Sequence, residues 1–243
     1  MIHKSLHIVS FDIPYPPIYG GIIDVFYKIK ALKELGVSIH LHTFIYGKEK
    51  QPELENYCEK VHYYKRDDNF LSLFSRKPFI VKSRSNNELI KNLLAHKFPI
   101  LFEGLHTTAP LLKNDFIGQK TYIRTHNIEH LYFDGLYKSS TNIPNKLYYK
   151  SEAIKLKKYE KILNKVDGIF TISPEEHTYF SNTYKSTSFY IPVFHENKNI
   201  GELSTSKKQV LYHGDLRISD NIKASIFLVN TYKNTDIQLI INY

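Results

Sequence analysis

The chain has one cysteine, Cys58, one methionine and no tryptophan in 243 residues. A single thiol excludes an intramolecular disulfide, so burial and hydrogen bonding must hold the fold, and a reducing, cytoplasmic setting is expected. Long apolar runs are missing, as is a basic-then-apolar leader, so neither a membrane-spanning helix nor a secretory signal is expected. Three signatures of chemistry are absent as well. No G-x-G-x-x-G follows the first apolar run, which removes the nicotinamide and flavin fingerprint. No G-x-x-x-x-G-K-[ST] occurs, which excludes a P-loop, and no G-x-S-x-G, which excludes a nucleophile elbow.

What is present is a chain that is 42% hydrophobic, long enough for one large domain or for one domain and part of another. Its formal charge is +9, but the basic residues are spread along the whole length and are densest between Lys155 and Lys165. A spread of that kind reads as a solvated face, and no nucleic-acid-binding module accompanies it, so nucleic acid is not expected as a partner. A cationic surface also favours peripheral contact with an anionic inner-membrane leaflet.

The opening run His7-Ile8-Val9-Ser10-Phe11 reads as a buried strand, followed by the Pro-stiffened loop Asp12 to Tyr19 and by Gly20-Gly21. Ile22, Val25, Ile29 and Leu32 then recur at helical spacing, with Gly36 placed to cap the end, which predicts a helix over 21–35. A glycine pair at that helix start puts bare backbone where unpaired N–H groups and the helix dipole favour anions. Strands are predicted at 37–44, 61–64, 100–103 and 121–125, separated by helical or loop segments such as 86–96. A long helix over 145–165 leads into a strand at 167–172, and Ser173-Pro174-Glu175-Glu176 reads as a capping box. Strand and helix alternate, so the expected class is α/β with a doubly wound parallel sheet, Rossmann-like.

After the run Phe189 to Val193, the polar stretch 195–208 lacks apolar periodicity and reads as a linker between domains 1–194 and 209–243. The second begins as a single βαβ unit of about 35 residues, short of the usual domain minimum of roughly 50. It is expected to be an incomplete Rossmann-like domain that exposes apolar surface on Ile222, Ile226, Leu228, Leu239 or Ile241.

Two strand ends concentrate polar chemistry. Arg124-Thr125-His126-Asn127-Ile128-Glu129-His130 follows the predicted fifth strand, and Glu103-Gly104-Leu105-His106-Thr107 follows the fourth. Both stand at the carboxyl edge, where doubly wound sheets bind ligands. Several readings are open. His126 is a ligand contact, a structural histidine, or half of a metal pair with His130; Asn127 is a cleft residue or a helix cap; Glu103 is a cleft residue or a strand-end ion-pair partner, with Thr107 a cap.

The order and spacing of Asp12-Ile13-Pro14-Tyr15-Pro16-Pro17 with Gly20-Gly21, Arg124 to Glu129, Asp167 with Ser173, and Gly214-Asp215-Leu216 with Asn221 resemble the retaining family 4 glycosyltransferases of GT-B fold. The likeness is to bacterial surface-polysaccharide and mannosyltransferase-like members, and it covers nearly the whole chain. It implies two Rossmann-like domains, the first holding a glycan or lipid-linked acceptor and the second a nucleotide-sugar donor. It further implies that His126 contacts the transferred sugar as the catalytic residue. Gly20, Gly21, Gly214, Arg217 and Asn221 would face the donor phosphates, and Tyr15, Glu103, His106, Arg124, Asn127 and Glu129 would line the acceptor side. No metal or other cofactor is implied. Two departures stand out: Asp215 occupies the position after Gly214 where the family often has arginine, and the family's E-x(7)-E region lies beyond Tyr243. A split enzyme completed by a second polypeptide, a fragment, and an inactive remnant that binds glycan or a partner protein are all consistent with that pattern.

Overall fold

The structure, a computed structural model, describes residues 4–197, 199, 208–216 and 219–242. It divides into two compact units, Met1–His195 and Glu196–Tyr243.

In the first unit, β1 (Lys4–Ser10), α1 (Gly20–Glu34), β2 (Val37–Ile45) and β3 (Lys60–Lys65) come first. The short α2 (Phe79–Lys82), α3 (Asn87–Leu94) and β4 (Ile100–Glu103) follow. Next are β5 (Thr121–Arg124), α4 (Glu129–Ser139), α5 (Ile143–Tyr159), β6 (Gly168–Thr171), α6 (Pro174–Thr183) and β7 (Thr187–Tyr190). The seven strands form one sheet in the order β3-β2-β1-β4-β5-β6-β7, with every neighbouring pair parallel. This is the expected doubly wound α/β arrangement, and it adds β7 as an edge strand.

Alternation along each strand sorts side chains onto two faces. Ile8, Ile39 and Leu41 pack against Val25, Phe26 and Ile29 of α1, while Val9, Phe44, Ile100, Phe102, Ile123 and Ile169 join a second core with Leu89, Leu93, Leu156 and Phe180. Both faces are therefore covered, as a parallel sheet requires.

Local signals account for several boundaries. Asn86 caps α3 by accepting from the N–H groups of Glu88 and Leu89. Gly36 takes a φ of +77° after α1, a left-handed conformation open to glycine at little cost. Ser173 accepts from Glu176 N–H at 3.1 Å, but Glu176 reaches back to Ile172 N–H and not to Ser173, so the box is shifted by one residue. The helix expected over 145–165 stops at Tyr159 and tightens into a 3-10 segment over Glu160–Lys165.

The second unit has β8 (Gln209–His213), α7 (Ser219–Tyr232) and β9 (Gln238–Asn242), with the two strands parallel. Ile222 and Ile226 are exposed, as are Phe227 and Val229, while Leu228, Leu239 and Ile241 are half-buried. One helix cannot cover both faces of a two-stranded ribbon, which leaves these apolar side chains outside.

Candidate functional site

The strand order reverses between β1 and β4, and the carboxyl ends of strands at such a switch point diverge to leave a crevice. A cavity of about 500 Å³ opens there, and Phe11, Tyr19, Gly20, Gly21, His106, His126, Asn127 and Glu129 are among the residues lining it. α1 starts at its rim with no side-chain cap and no acidic residue in its first turn, so its positive end faces the cavity without side-chain compensation.

The two glycines at that rim differ. A Cβ on Gly20 would meet nothing within 4 Å, whereas one on Gly21 would lie 2.9 Å from Phe11 Cζ. Phe11 in turn separates two imidazoles, with ring centroids 5.3 Å from His106 and, edge-on, 5.5 Å from His126. Gly21 therefore sets where the Phe11 ring sits, and Phe11 sets the spacing of the histidines.

His126 is held from below by a line of buried charges. Its Nε2 lies 3.2 Å from Glu103 Oε2, and Lys28 Nζ lies 2.8 Å from Glu103 Oε1 and 3.0 Å from Asp24 Oδ2. Arg124 grips Asp24 with both branches, donating from Nε at 3.0 Å and from Nη2 at 2.9 Å, while Phe194 N–H donates to Asp24 Oδ1 at 2.9 Å. The side chains of Asp24, Lys28, Glu103 and Arg124 are all at most 6% exposed. Burial alone would raise the Asp24 pKa, but Lys28, Arg124 and the Phe194 N–H outweigh it and hold the carboxyl far below the usual carboxylate range. Two cations alternate with two carboxylates, so the line is internally neutralised, as buried charge must be.

Asp24, Glu103 and His126 also place one potential metal-ligand atom each within 4.8 Å of one another. Lys28 already sits against both carboxylates, and Arg124 takes both oxygens of Asp24. The cluster carries its own cation, and a divalent ion would have to displace an ammonium group, so these residues do not fit a metal.

Two further groups in the cavity have unusual protonation. Burial, then the nearby Arg84, His126 and Arg66, hold His106 well below its ordinary pKa, so its imidazole is neutral at pH 7. Burial, then Glu160 and Glu176, push Glu129 up to about 8 against the pull of Arg84. Glu129 at neutral pH is therefore largely a carboxylic acid able to donate a hydrogen bond. No hydrogen bond from a described residue reaches its carboxyl, and His106 Nδ1 stands 3.9 Å away. A helix N-terminus, two imidazoles, an amide and an acid thus surround one cavity, a set of donors and acceptors suited to hydroxyl groups and phosphate oxygens.

No family model matches the chain. A Klebsiella pneumoniae protein described as "Uncharacterized 44.6 kDa protein in cps region" is 30% identical over 251 residues, covering 96% of this chain and 63% of the relative. The chain thus spans less than two thirds of the length of that relative. Among solved structures, a UDP-glucosyltransferase from Polygonum tinctorium superposes with TM-score 0.52 at 11% identity, covering 99% of this chain and 66% of its own. LpCGTa in complex with UDP gives 0.53 at 11%, covering 99% and 71%, and Acinetobacter baumannii MurG gives 0.50 at 14%, covering 98% and 57%. The fold is that of the GT-B glycosyltransferases. At such identities the likeness establishes the fold and leaves the chemistry to the site.

Within this GT-B fold the expected site residues separate into groups. Gly20, Gly21, His106, His126, Asn127 and Glu129 meet at the cavity. Glu103 and Arg124, expected in its lining, are 0% and 1% exposed and lie beneath it as ion-pair partners. Arg124 also donates to the carbonyls of Ile191 at 2.6 Å and Pro192 at 3.0 Å, which ties the chain after β7 to α1. Tyr15 turns toward the α1 core, its ring 5.4 Å from that of Phe26, and is not among the cavity residues. Asn127 does not cap α4, because Ile128 occupies that position without a side-chain bond. His130 pairs with Glu160 at 3.2 Å while His126 pairs with Glu103, so the two do not form a metal pair. Thr107 caps no helix and donates to the carbonyls of Glu103 and Gly104.

In the second unit, Asn221 Nδ2 donates to Asp215 carbonyl at 2.9 Å, and a Cβ on Gly214 would lie 2.8 Å from the Tyr212 hydroxyl. Gly214 and Asn221 thus shape one loop, and Arg217 lies outside the described residues.

Strand-end position does not single out Asp24 and Lys28, whose sequence signal is two charges at i and i+4 among the apolar positions of α1.

Proposed function

We propose that this chain is the acceptor-side part of a glycosyltransferase, of the retaining family 4 kind, that moves a sugar from a nucleotide-sugar donor to a glycan or lipid-linked acceptor. The observation that carries the reading is the joint placement of the α1 N-terminus and the supported His126 in one cavity at the switch point of a GT-B sheet. Several neighbours in fold are recorded with donor components, among them Phytolacca americana UGT2 with UDP-2fluoro-glucose and LpCGTa with UDP. The Klebsiella pneumoniae relative lies in a cps region, which agrees with an acceptor that is a growing polysaccharide.

Glycosyl transfer asks for two things: stabilisation of negative charge growing on the departing diphosphate, and orientation of a sugar ring that becomes cationic. In this reading the α1 N-terminus at Gly20 and Gly21 takes part in the first task, with the Gly214 loop, Arg217 and Asn221 as further donor contacts. His126 serves the second by contacting the transferred sugar, and its ring is oriented by Glu103 and Lys28. His106, Asn127 and Glu129 hold acceptor hydroxyls. Charge on the leaving group is met by N–H groups and cations of the protein, and no metal or cofactor is assigned.

The test is a turnover and binding assay across UDP-, GDP- and dTDP-linked hexoses, with the chain alone and with a separately expressed donor-domain polypeptide. Calorimetric binding of a nucleotide-sugar, and transfer that falls about a hundredfold in His126→Ala while the circular dichroism spectrum stays unchanged, is the expected result. Glycan binding with no nucleotide-sugar binding in either setting would replace this reading with that of an acceptor-glycan-binding domain.

A further inference from the structure

α5 is apolar on two opposite sides. Glu152, Leu156 and Tyr159 face the core, with both Glu152 and Leu156 fully buried. On the other side Ile143, Leu147 and Ile154 form a stripe at i, i+4 and i+11 and are 71%, 65% and 51% exposed. At 100° per residue these three lie within about 40° of one another around the helix, roughly opposite Glu152. Lys150 falls in the same sector, with Lys146 and Lys157 along one flank and Lys158 along the other.

The charge on this face has one sign. Between residues 143 and 165 the acidic residues are Glu152 and Glu160, at 0% and 2% exposure. Among the described residues, Lys146, Lys150, Lys157, Lys158 and Lys161 have no carboxylate partner, and Lys146 and Lys150 rest over the Tyr137 ring of α4. Beside the stripe runs an apolar groove of about 670 Å³ lined by Leu73, Phe74, Phe79, Pro144 and Tyr148, with Asp68 and Lys155 also at its edge; Phe74 is 78% exposed. The acid on the neighbouring α4 face, Asp134, is paired with Lys138 at 2.6 Å.

A solvated helix face has no use for three large aliphatic side chains in a row, and a face that meets a second copy of itself would bring like charges together. Aliphatic side chains flanked by lysines are instead the composition of a helix lying in a lipid headgroup layer, where apolar residues enter the acyl boundary and ammonium groups meet lipid phosphates. No helix among the described residues is long and apolar enough to cross a membrane, so contact of this kind is peripheral.

We propose that the outward face of α5, with the Phe74 segment beside it, docks the protein on an anionic lipid bilayer. α4 connects the helix that carries this face to the cavity: it packs on α5, and Glu129 and Tyr132 at its start line the cavity. Where the transferase reading holds, that placement narrows the acceptor to a lipid-linked one presented from the membrane. The docking itself does not depend on that reading.

The experiment is co-sedimentation of the full chain with vesicles of phosphatidylcholine alone and of phosphatidylcholine with 30% phosphatidylglycerol, at 0.1 and 0.5 M NaCl, with no sugar donor or acceptor present. Binding to the anionic vesicles, weakened at high salt, is expected, with little on the neutral ones. Each lysine near the surface contributes about fivefold, so Lys150→Glu with Lys157→Glu and Lys158→Glu lowers partitioning by about a hundredfold. Ile143→Ser with Leu147→Ser lowers it by about tenfold, and all these sites are exposed enough for folding to survive. Absence of binding, equal binding to both vesicle types, or binding untouched by either variant set overturns the proposal. A dimer in sedimentation that Leu147→Ser dissociates, without vesicle binding, overturns it in favour of contact between copies. A chain that glycosylates a soluble acceptor yet ignores vesicles refutes the docking and leaves the transferase reading; one that binds vesicles without transferring sugar does the reverse.

Discussion

Arg124→Met is the perturbation that most sharply separates a cavity residue from a brace. The guanidinium makes two bonds to Asp24 and donates to the carbonyls of Ile191 and Pro192, all at 3.0 Å or less, and the side chain is 1% exposed. Methionine fills much the same volume but removes every donor, so Asp24 keeps only Lys28 and the Phe194 N–H, and the carbonyls of Ile191 and Pro192 lose this partner. Breaking a buried pair from one side costs about 3–5 kcal/mol, a large share of a typical 5–15 kcal/mol domain stability. With a urea slope near 3 kcal/mol/M, the midpoint falls by about 1–1.7 M. The chain has no tryptophan, so far-UV circular dichroism at pH 7.5 is the suitable probe. Arg124→Lys restores the charge against Asp24 but cannot fork, and it should recover about half the loss. A midpoint for Arg124→Met within 0.3 M of wild type, or unchanged stability with ligand binding abolished, would refute the brace and return Arg124 to the cavity lining.

The histidines of the β1–β3 region make the fold acid-sensitive. His7 Nδ1 and His42 Nε2 are 2.9 Å apart, and burial, aided by neighbouring imidazoles, lowers His7 to about 4 and His42 well below its ordinary value. Because the folded state binds these protons more weakly than the unfolded chain does, their contribution is complete above about pH 6.5 and drains away as pH falls toward 4. For His7 alone this amounts to about 3 kcal/mol. Urea midpoints at pH 7.5 and 5 should differ accordingly, and equal midpoints would contradict the assignment. The two rim glycines should also respond differently. Gly20→Ala meets open space and should leave stability unchanged or raised by about 0.5 kcal/mol. Gly21→Ala must push Phe11 against both imidazoles and should lower ligand binding measured by calorimetry; equal behaviour of the two variants would show that Phe11 does not set the histidine spacing.

The sequence makes the fold legible wherever the information is periodic and local. Strand and helix alternate with recognisable breaks, Gly36 and Ser173 mark ends by their own backbone and side-chain chemistry, and the carboxyl edge of a parallel sheet is known once the strands are known. Gly20, Gly21, His106, His126, Asn127 and Glu129, from segments as much as a hundred residues apart, meet at that edge in one cavity. Depth is not legible in the same way. Being at a strand end does not say which of two faces a side chain takes or what waits there. Arg124 and Glu103 sit on the face under α1, and their partners Asp24 and Lys28 are 100 and 75 residues away. Tyr15 lies away from the cavity for a related reason, because its direction is set by packing on Phe26 and not by the prolines around it. In each case the missing information is pairwise and long-range. One local trace remained readable: an Asp and a Lys at i and i+4 within an apolar helix face demand opposite charges from the sheet beneath, and Glu103 and Arg124 at adjacent strand ends supply them. Such buried, mutually compensating charge holds His126 in place. The part of the site most hidden from pattern reading is therefore the part that orients the residue pattern reading found first.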